Sequence, residues 1–221
     1  MSDDFTSKDV LDEINPLIEM MFGDYSLPPE KLVLCNEYDL KMMLFQKQDE
    51  VNSFLYDSVL PGEVKQRIPV HLFKQMRQEL PKINGFFMGF SDDNCYVSNK
   101  DLDDAKKTTL HEMGHRVIAL ATGYVGIDRV LSFQSNEEDL MISAEFIYTK
   151  LHFMYGGNMN DPLFIERVNR HKMELGEIIR RRIDEYSFDE KLKKIISDAD
   201  SFMERHKNIF KYLNNQKQYK P

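Results

Sequence analysis

The sequence predicts an α+β fold, mostly helical, with one small antiparallel sheet. Three observations carry that expectation. Apolar residues recur every three or four positions through most of the chain. The period changes to two over residues 85–98. Proline, glycine and Ser-x-x-Glu signals punctuate the helical stretches. With 42 % hydrophobic and 30 % charged residues among 221, the chain has the composition of a packed globular protein.

Residues 8–22 read as a first helix, started or interrupted near Pro16, and SLPPEK at 26–31 breaks it. LVLC at 32–35 has the length and composition of a short strand. Leu40, Leu44, Val51, Phe54 and Leu55 predict an amphipathic helix over about 36–60, which LPGE at 60–63 ends. Pro69 opens another helix that runs through Phe73 and Met76 to Leu80, where Pro81 stops it. In INGFFMGFSDDNCYVSN, Phe86, Met88 and Phe90 alternate, SDDN is turn chemistry, and Cys95 and Val97 alternate again. This predicts a β-hairpin over 85–98. A helix follows over 101–122, ending at Gly123. The next begins at Ser135, where SNEE has the form of a capping box, and runs to Tyr155 before Gly156 and Gly157. Asp161 caps and Pro162 opens a helix whose stripe is Phe164, Val168, Leu175, Ile179 and Ile183. SFDE at 187–190 opens the last, with Leu192, Ile195, Ala199, Phe202, Met203, Ile209, Phe210 and Leu213 at helical spacing. These two are expected to pack as an antiparallel αα-hairpin over 160–213. The expected organisation is one domain over 1–221, with a helical part at about 1–80, a core at about 84–155 and the terminal helix pair.

The formal net charge of -8 argues against a general nucleic-acid binder. The acid-free run of Arg205, Lys207, Lys211, Lys217 and Lys220 reads as a solvated basic tail. Cys35 and Cys95 form no Cys-x-x-Cys pair and read as free buried thiols of a reducing compartment. MSDDFTSKDV has neither the basic nor the apolar region of a signal peptide. No apolar run approaches the roughly 18 residues a membrane span needs. A cytoplasmic location without a membrane partner is the expectation.

The chemistry concentrates in TTLHEMGHRVIAL, residues 108–120. On a helix, His111 and His115 lie on one face, one turn apart, where two imidazoles can share a tetrahedral zinc. Glu112 is rotated aside, next to the position of an activated water, as in the His-Glu-x-x-His metallopeptidase helix. With 6 histidines in 221 residues, chance gives this string in about 1 % of such chains. Leu110, Val117 and Leu120 are available to bury the opposite side. Gly114, which lowers helix propensity by roughly 1 kcal/mol, suggests a close approach by another group.

A catalytic zinc needs a third protein ligand. In the extended pattern His-Glu-x-x-His-x-x-Gly-x-x-His/Asp, Ile118 and Ala121 would stand at the glycine and ligand positions, so that class is excluded. A downstream carboxylate remains. Glu137, Glu138 and Asp139 occupy the first turn of the next helix, where the dipole and a capping box already account for acids. Glu145 lies mid-helix among Met141, Ala144, Phe146 and Tyr148. Coordination would relieve the cost of burying its charge there. Glu145 therefore ranks first, reached by a reversed helix packing on the first, with Glu138 second and Asp128 and Asp139 behind. His152, two turns beyond Glu145, is a candidate substrate or transition-state contact.

HEMGHRVIALATGY followed by SAEFIYTKLHFM resembles the gluzincin metallopeptidases, in particular the catalytic domains of the anthrax lethal factor and Pro-Pro endopeptidase type. The likeness covers about residues 84–155. It implies a zincin-like domain in which His111, His115 and Glu145 bind Zn2+ and Glu112 is the general base. That type carries a tyrosine seven residues before the ligand glutamate, and Glu138 stands there in this chain. The oxyanion helper would then be Tyr148, Tyr124 or His152. A second likeness is to the ImmA/IrrE-type peptidases, which act on transcriptional repressors. Their ligand lies nearer the helix start, which implies Glu138 or Glu137. The expected function is a zinc endopeptidase acting on a protein or peptide, including a regulator or repressor. The edge of the hairpin would take an extended substrate. The rival expectation is an inactive zincin-like binding module with a structural zinc.

Overall fold

The structure, a computed structural model, describes residues 5–23, 25–60, 62–77, 83–87, 93–122 and 135–185. These are mostly helical, with one small sheet of three strands. They fall into two compact units: Met1–Lys47 with Pro81–Glu185, and a second that holds Gln48–Leu80. The expected helical part at 1–80 therefore divides near residue 47, and only its first portion belongs with the His-Glu-x-x-His helix.

The larger unit opens with α1, Ser7–Phe22. Thr6 caps it: its side chain accepts from the Asp9 N–H while the Asp9 carboxylate accepts from the Thr6 N–H, a reciprocal capping box. The helix continues through Pro16 without a break. Proline removes one helical hydrogen bond, but Val10, Leu11, Ile14, Leu17, Ile18, Met21 and Phe22 are all buried along one face and hold the helix together.

After a 3-10 turn at Pro29–Lys31 comes β1, Leu32–Cys35. The next helix, α2, spans Glu37–Phe54. Asn36 caps it, its Oδ1 accepting from the Asp39 N–H at 2.9 Å.

In the second unit the chain continues as a π-helical turn, Leu55–Val59, then α3, Gly62–Arg67, and α4, Val70–Arg77. The six residues of α3 carry no apolar stripe, so sequence periodicity passes over them. Pro69 acts as the cap of α4 and not as its first residue, its carbonyl accepting from the Leu72 and Phe73 N–H groups. Phe73 is fully buried, and the Tyr56 hydroxyl donates to the Ile68 carbonyl at 2.9 Å.

The hairpin strands are β2, Gly85–Phe87, and β3, Cys95–Ser98, antiparallel with Phe86 opposite Tyr96. Met88, Phe90 and most of the turn lie outside the described residues. β1 adds to the other side of β3 in parallel, Leu32 opposite Cys95, so the sheet is mixed with order β1-β3-β2. The expected purely antiparallel sheet is corrected by this strand, whose partner no local pattern reveals.

Three long helices complete the unit: α5, Leu102–Thr122; α6, Ser135–Tyr155; and α7, Pro162–Glu185. Asp101 caps α5. Gly156 and Gly157 end α6 with positive φ, and the Gly157 N–H reaches back to the Leu151 carbonyl at 2.9 Å, a Schellman closure. Asp161 caps α7 through the Leu163 and Phe164 N–H groups. The predicted partner of α7, from Ser187 to Leu213, lies outside the described residues. No helix among those described is long and apolar enough to cross a membrane.

Helix α5 is the centre of the unit. It packs against α1, α6, α7, β2 and β3. Leu110, Met113, Val117 and Ile118 are buried along it, whereas Leu120, expected on that face, is 40 % exposed. α6 comes close at Gly114, where an added Cβ would lie 1.9 Å from the Met141 sulfur. The glycine thus admits a side chain from α6. Alanine there would gain about 1 kcal/mol of helix propensity but overlap a buried thioether. Gly114→Ala is expected to lower stability by about 1–2 kcal/mol. Combined with Met141→Ala it should be less damaging than the sum of the two, which a double-mutant cycle from urea unfolding measures.

Candidate metal centre

Helix α5 carries His111 and His115 one turn apart, their ring centroids separated by 5.1 Å. Helix α6 runs back along α5, so later residues of α6 meet earlier residues of α5. Glu137 faces His115, Glu145 faces His111, and Glu138 lies between. The reversed helix expected from the sequence is therefore present.

The order of contacts is specific. His111 Nδ1 is 2.7 Å from Glu145 Oε1, and its Nε2 is 3.2 Å from Glu138 Oε2. His115 Nδ1 is 2.6 Å from Glu137 Oε1, and its Nε2 is 3.2 Å from Glu138 Oε1. Each oxygen of Glu138 thus faces one Nε2. The His115 Nε2 contact lacks hydrogen-bond geometry, so this buried nitrogen has an available lone pair or proton and no hydrogen-bond partner. The donor atoms of His111, His115 and Glu138 all lie within 4.8 Å of one another. Two imidazole nitrogens and one carboxylate oxygen this close together make a donor set suited to a divalent metal ion.

Glu145, ranked first as ligand from the sequence, lies instead against the outer nitrogen of His111. Glu138, ranked second, faces both inner nitrogens. Asp139 is exposed and outside the donor group. Asp128 and Tyr124 lie outside the described residues. Glu112 is buried at 4 % exposure, and Gly85 of β2 packs beside it: a Cβ on Gly85 would stand 3.4 Å from Glu112 Cγ.

Tyr148 and His152, two candidate oxyanion helpers, belong to another cluster. The Tyr148 hydroxyl donates to Asp103 at 3.0 Å and lies 3.5 Å from Glu13. His152 Nε2 is 3.7 Å from the same Glu13 carboxylate, which also pairs with Lys106. Burial, then the Asp103 carboxylate, holds the Tyr148 phenol above its ordinary value and keeps it protonated. Asp103 precedes His111 by about two helical turns.

Sequence reasoning missed Arg116. Its guanidinium grips Asp93 with two bonds of 2.7 Å, tying α5 beside His115 to the entry of β3. Nothing in the sequence pairs two charges at that separation.

No family model matches the chain, and neither a curated protein nor a solved structure does.

The electrostatics of the cluster follow from its carboxylates. Burial disfavours charge on His111, but Glu138 and Glu145 accept from the ring, and the charge of Glu112 adds to them. Together they outweigh burial and push its pKa up to about 9. A raised value means that protonation of His111 stabilises the metal-free fold. That contribution is complete below the ordinary value of 6.5 and is lost as pH rises through about 9. The same proton occupies the nitrogen a metal would use. Apparent affinity for a divalent ion should therefore climb by up to about tenfold per pH unit from near neutrality and level off above about pH 9. Competition titrations with a chromophoric chelator across this range provide the measurement.

Proposed function

We propose that the protein is a zinc-dependent endopeptidase, with His111, His115 and Glu138 as metal ligands and Glu112 as general base. The observation that carries this reading is the convergence of both Nε2 atoms on the Glu138 carboxylate, with a buried Glu112 one residue after the first histidine. A zinc ion there would supply Lewis acidity, lowering the pKa of a water towards neutrality and polarising a peptide carbonyl. Glu112 accepts the proton as the water attacks, then delivers it to the leaving amine. Its burial limits competition from bulk solvent for that proton.

Three donors form the group among the described residues, which leaves one position of a tetrahedral ion for water. With water in that position the site would hydrolyse, whereas a regulatory module with a structural zinc would close the shell with a fourth protein ligand. β2 supports a peptide substrate. Among the described residues it is an edge strand of the sheet, and its Gly85 packs against Glu112, so an extended chain added to that edge would run beside the base. A ligand near the start of its helix accords with the ImmA/IrrE-type likeness, and hence with a regulator or repressor as substrate. The buried thiols Cys35 and Cys95, which form no disulfide, suit a cytoplasmic setting.

Glu112→Gln separates binding from chemistry. The variant should retain zinc at the wild-type stoichiometry, measured by elemental analysis, and lose at least about 100-fold in cleavage of a peptide library. Cleavage that survives in this variant would remove Glu112 from the role of base. A wild type carrying no zinc after purification in zinc-containing buffer would remove the reading as a whole.

A further inference from the structure

Each histidine of the pair has a carboxylate near both ring nitrogens, and the two sides differ. The inner nitrogens, both Nε2, face the single carboxylate of Glu138. The outer nitrogens, both Nδ1, each have a carboxylate of their own: Glu145 at 2.7 Å from His111 and Glu137 at 2.6 Å from His115. A neutral imidazole carries one proton and one lone pair. A carboxylate at Nδ1 draws the proton to that nitrogen and leaves the Nε2 lone pair facing inward. It also fixes the ring plane and makes Nε2 a stronger donor.

We infer that Glu145 and Glu137 are positioning residues for the metal site, each setting the tautomer and orientation of one ligand histidine without binding the ion. This rests on the reading of His111, His115 and Glu138 as ligands. It assigns separate tasks to neighbouring acids. Glu137 and Glu138 are adjacent on α6 and reach opposite nitrogens of His115. Glu138 and Glu145 are two helical turns apart and reach opposite nitrogens of His111. The two clamps are also unequal. The His115 and Glu137 side chains are 2 % and 8 % exposed, whereas those of His111 and Glu145 are 14 % and 36 %. Water screens the first pair less, so Glu137 has the larger effect.

The test is zinc affinity of the full chain, measured by chelator competition for wild type and for Glu145→Ala, Glu145→Gln, Glu137→Gln and Glu138→Ala. Circular dichroism selects the variants that keep the fold. Glu145→Ala should bind zinc about 10–100-fold more weakly than wild type. Glu145→Gln keeps an acceptor at Nδ1 and should recover part of that loss. Glu137→Gln should weaken binding more than Glu145→Gln. Glu138→Ala should lose far more than any of these. Nitrogen-15 spectra of the zinc-loaded histidines give a second readout: a protonated Nδ1 on both rings in wild type, with the His111 signal displaced in Glu145→Ala.

Affinity within twofold of wild type in both Glu145 variants and in Glu137→Gln would overturn the inference while leaving the metal site intact. A loss in Glu145→Ala as deep as in Glu138→Ala would overturn it by making Glu145 a ligand. A wild type that binds no zinc fails at the earlier reading, which the same titration distinguishes.

Discussion

The close approach of α5 and α6 at Gly114 governs what the site can be. Only a residue without a side chain leaves room for Met141, whose sulfur would otherwise overlap a Cβ by a wide margin. Met141 lies three residues after Glu138 and four before Glu145 on the same stripe of α6. Seating it on Gly114, between His111 and His115, fixes the depth and register of α6 along α5. That register puts Glu138 between the rings and Glu145 beyond His111. Only a shift of two turns would set Glu145 where Glu138 stands. An apolar packing contact thus decides which carboxylate faces which nitrogen.

The same helix carries an unusual electrostatic burden. Lys106, Thr109, Glu112, His115 and Arg116 are all buried on α5. Charges in such surroundings are tolerated only when compensated. Lys106 pairs with Glu13, Arg116 with Asp93, and Thr109 donates to the Ala105 carbonyl. The pairs at Lys106 and Arg116 bracket the histidines and join α5 to α1 and to the sheet. Glu13 and Asp93 are each more than a third exposed, so water screens both pairs and each contributes less than a fully buried one. Ion pairs on either side of the His-Glu-x-x-His turn thus anchor it alongside apolar packing.

Much of this architecture is legible in the sequence, because it is written locally. The cap at Asp161, the glycine pair after Tyr155, and the alternation around Phe86 and Cys95 mark the ends and types of elements that the structure contains. Non-local choices are not legible. LVLC reads as a strand, yet nothing in it specifies parallel pairing with β3. Leu120 has the right period for the core and points to solvent, because α5 is covered on several sides and periodicity alone does not identify the uncovered one. The histidines and Glu112 follow from a spacing on one helix. The carboxylates depend on a helix pair whose register is set at Gly114. Glu138 is masked further, since an acid in a first helical turn already has an ordinary explanation in the dipole and the capping box.

The acids around the two rings show why that ordinary explanation is insufficient. Glu112, Glu137, Glu138 and Glu145 crowd two histidines in a largely buried space. Helix capping accounts for one acid in the first turn of α6 but not for two of them aimed at the same imidazole on another helix. Mutual repulsion of carboxylates disfavours such a cluster unless positive charge is supplied. In the metal-free chain His111 supplies part of it by holding a proton well above its ordinary range. His115 Nε2 has no hydrogen-bond partner. A divalent ion between the inner nitrogens and Glu138 would resolve both features at once: it replaces the proton with a larger charge and occupies the unpartnered lone pair. On the proposed metal reading, the cluster is one half of a charge pair and not a set of independent helix-end acids.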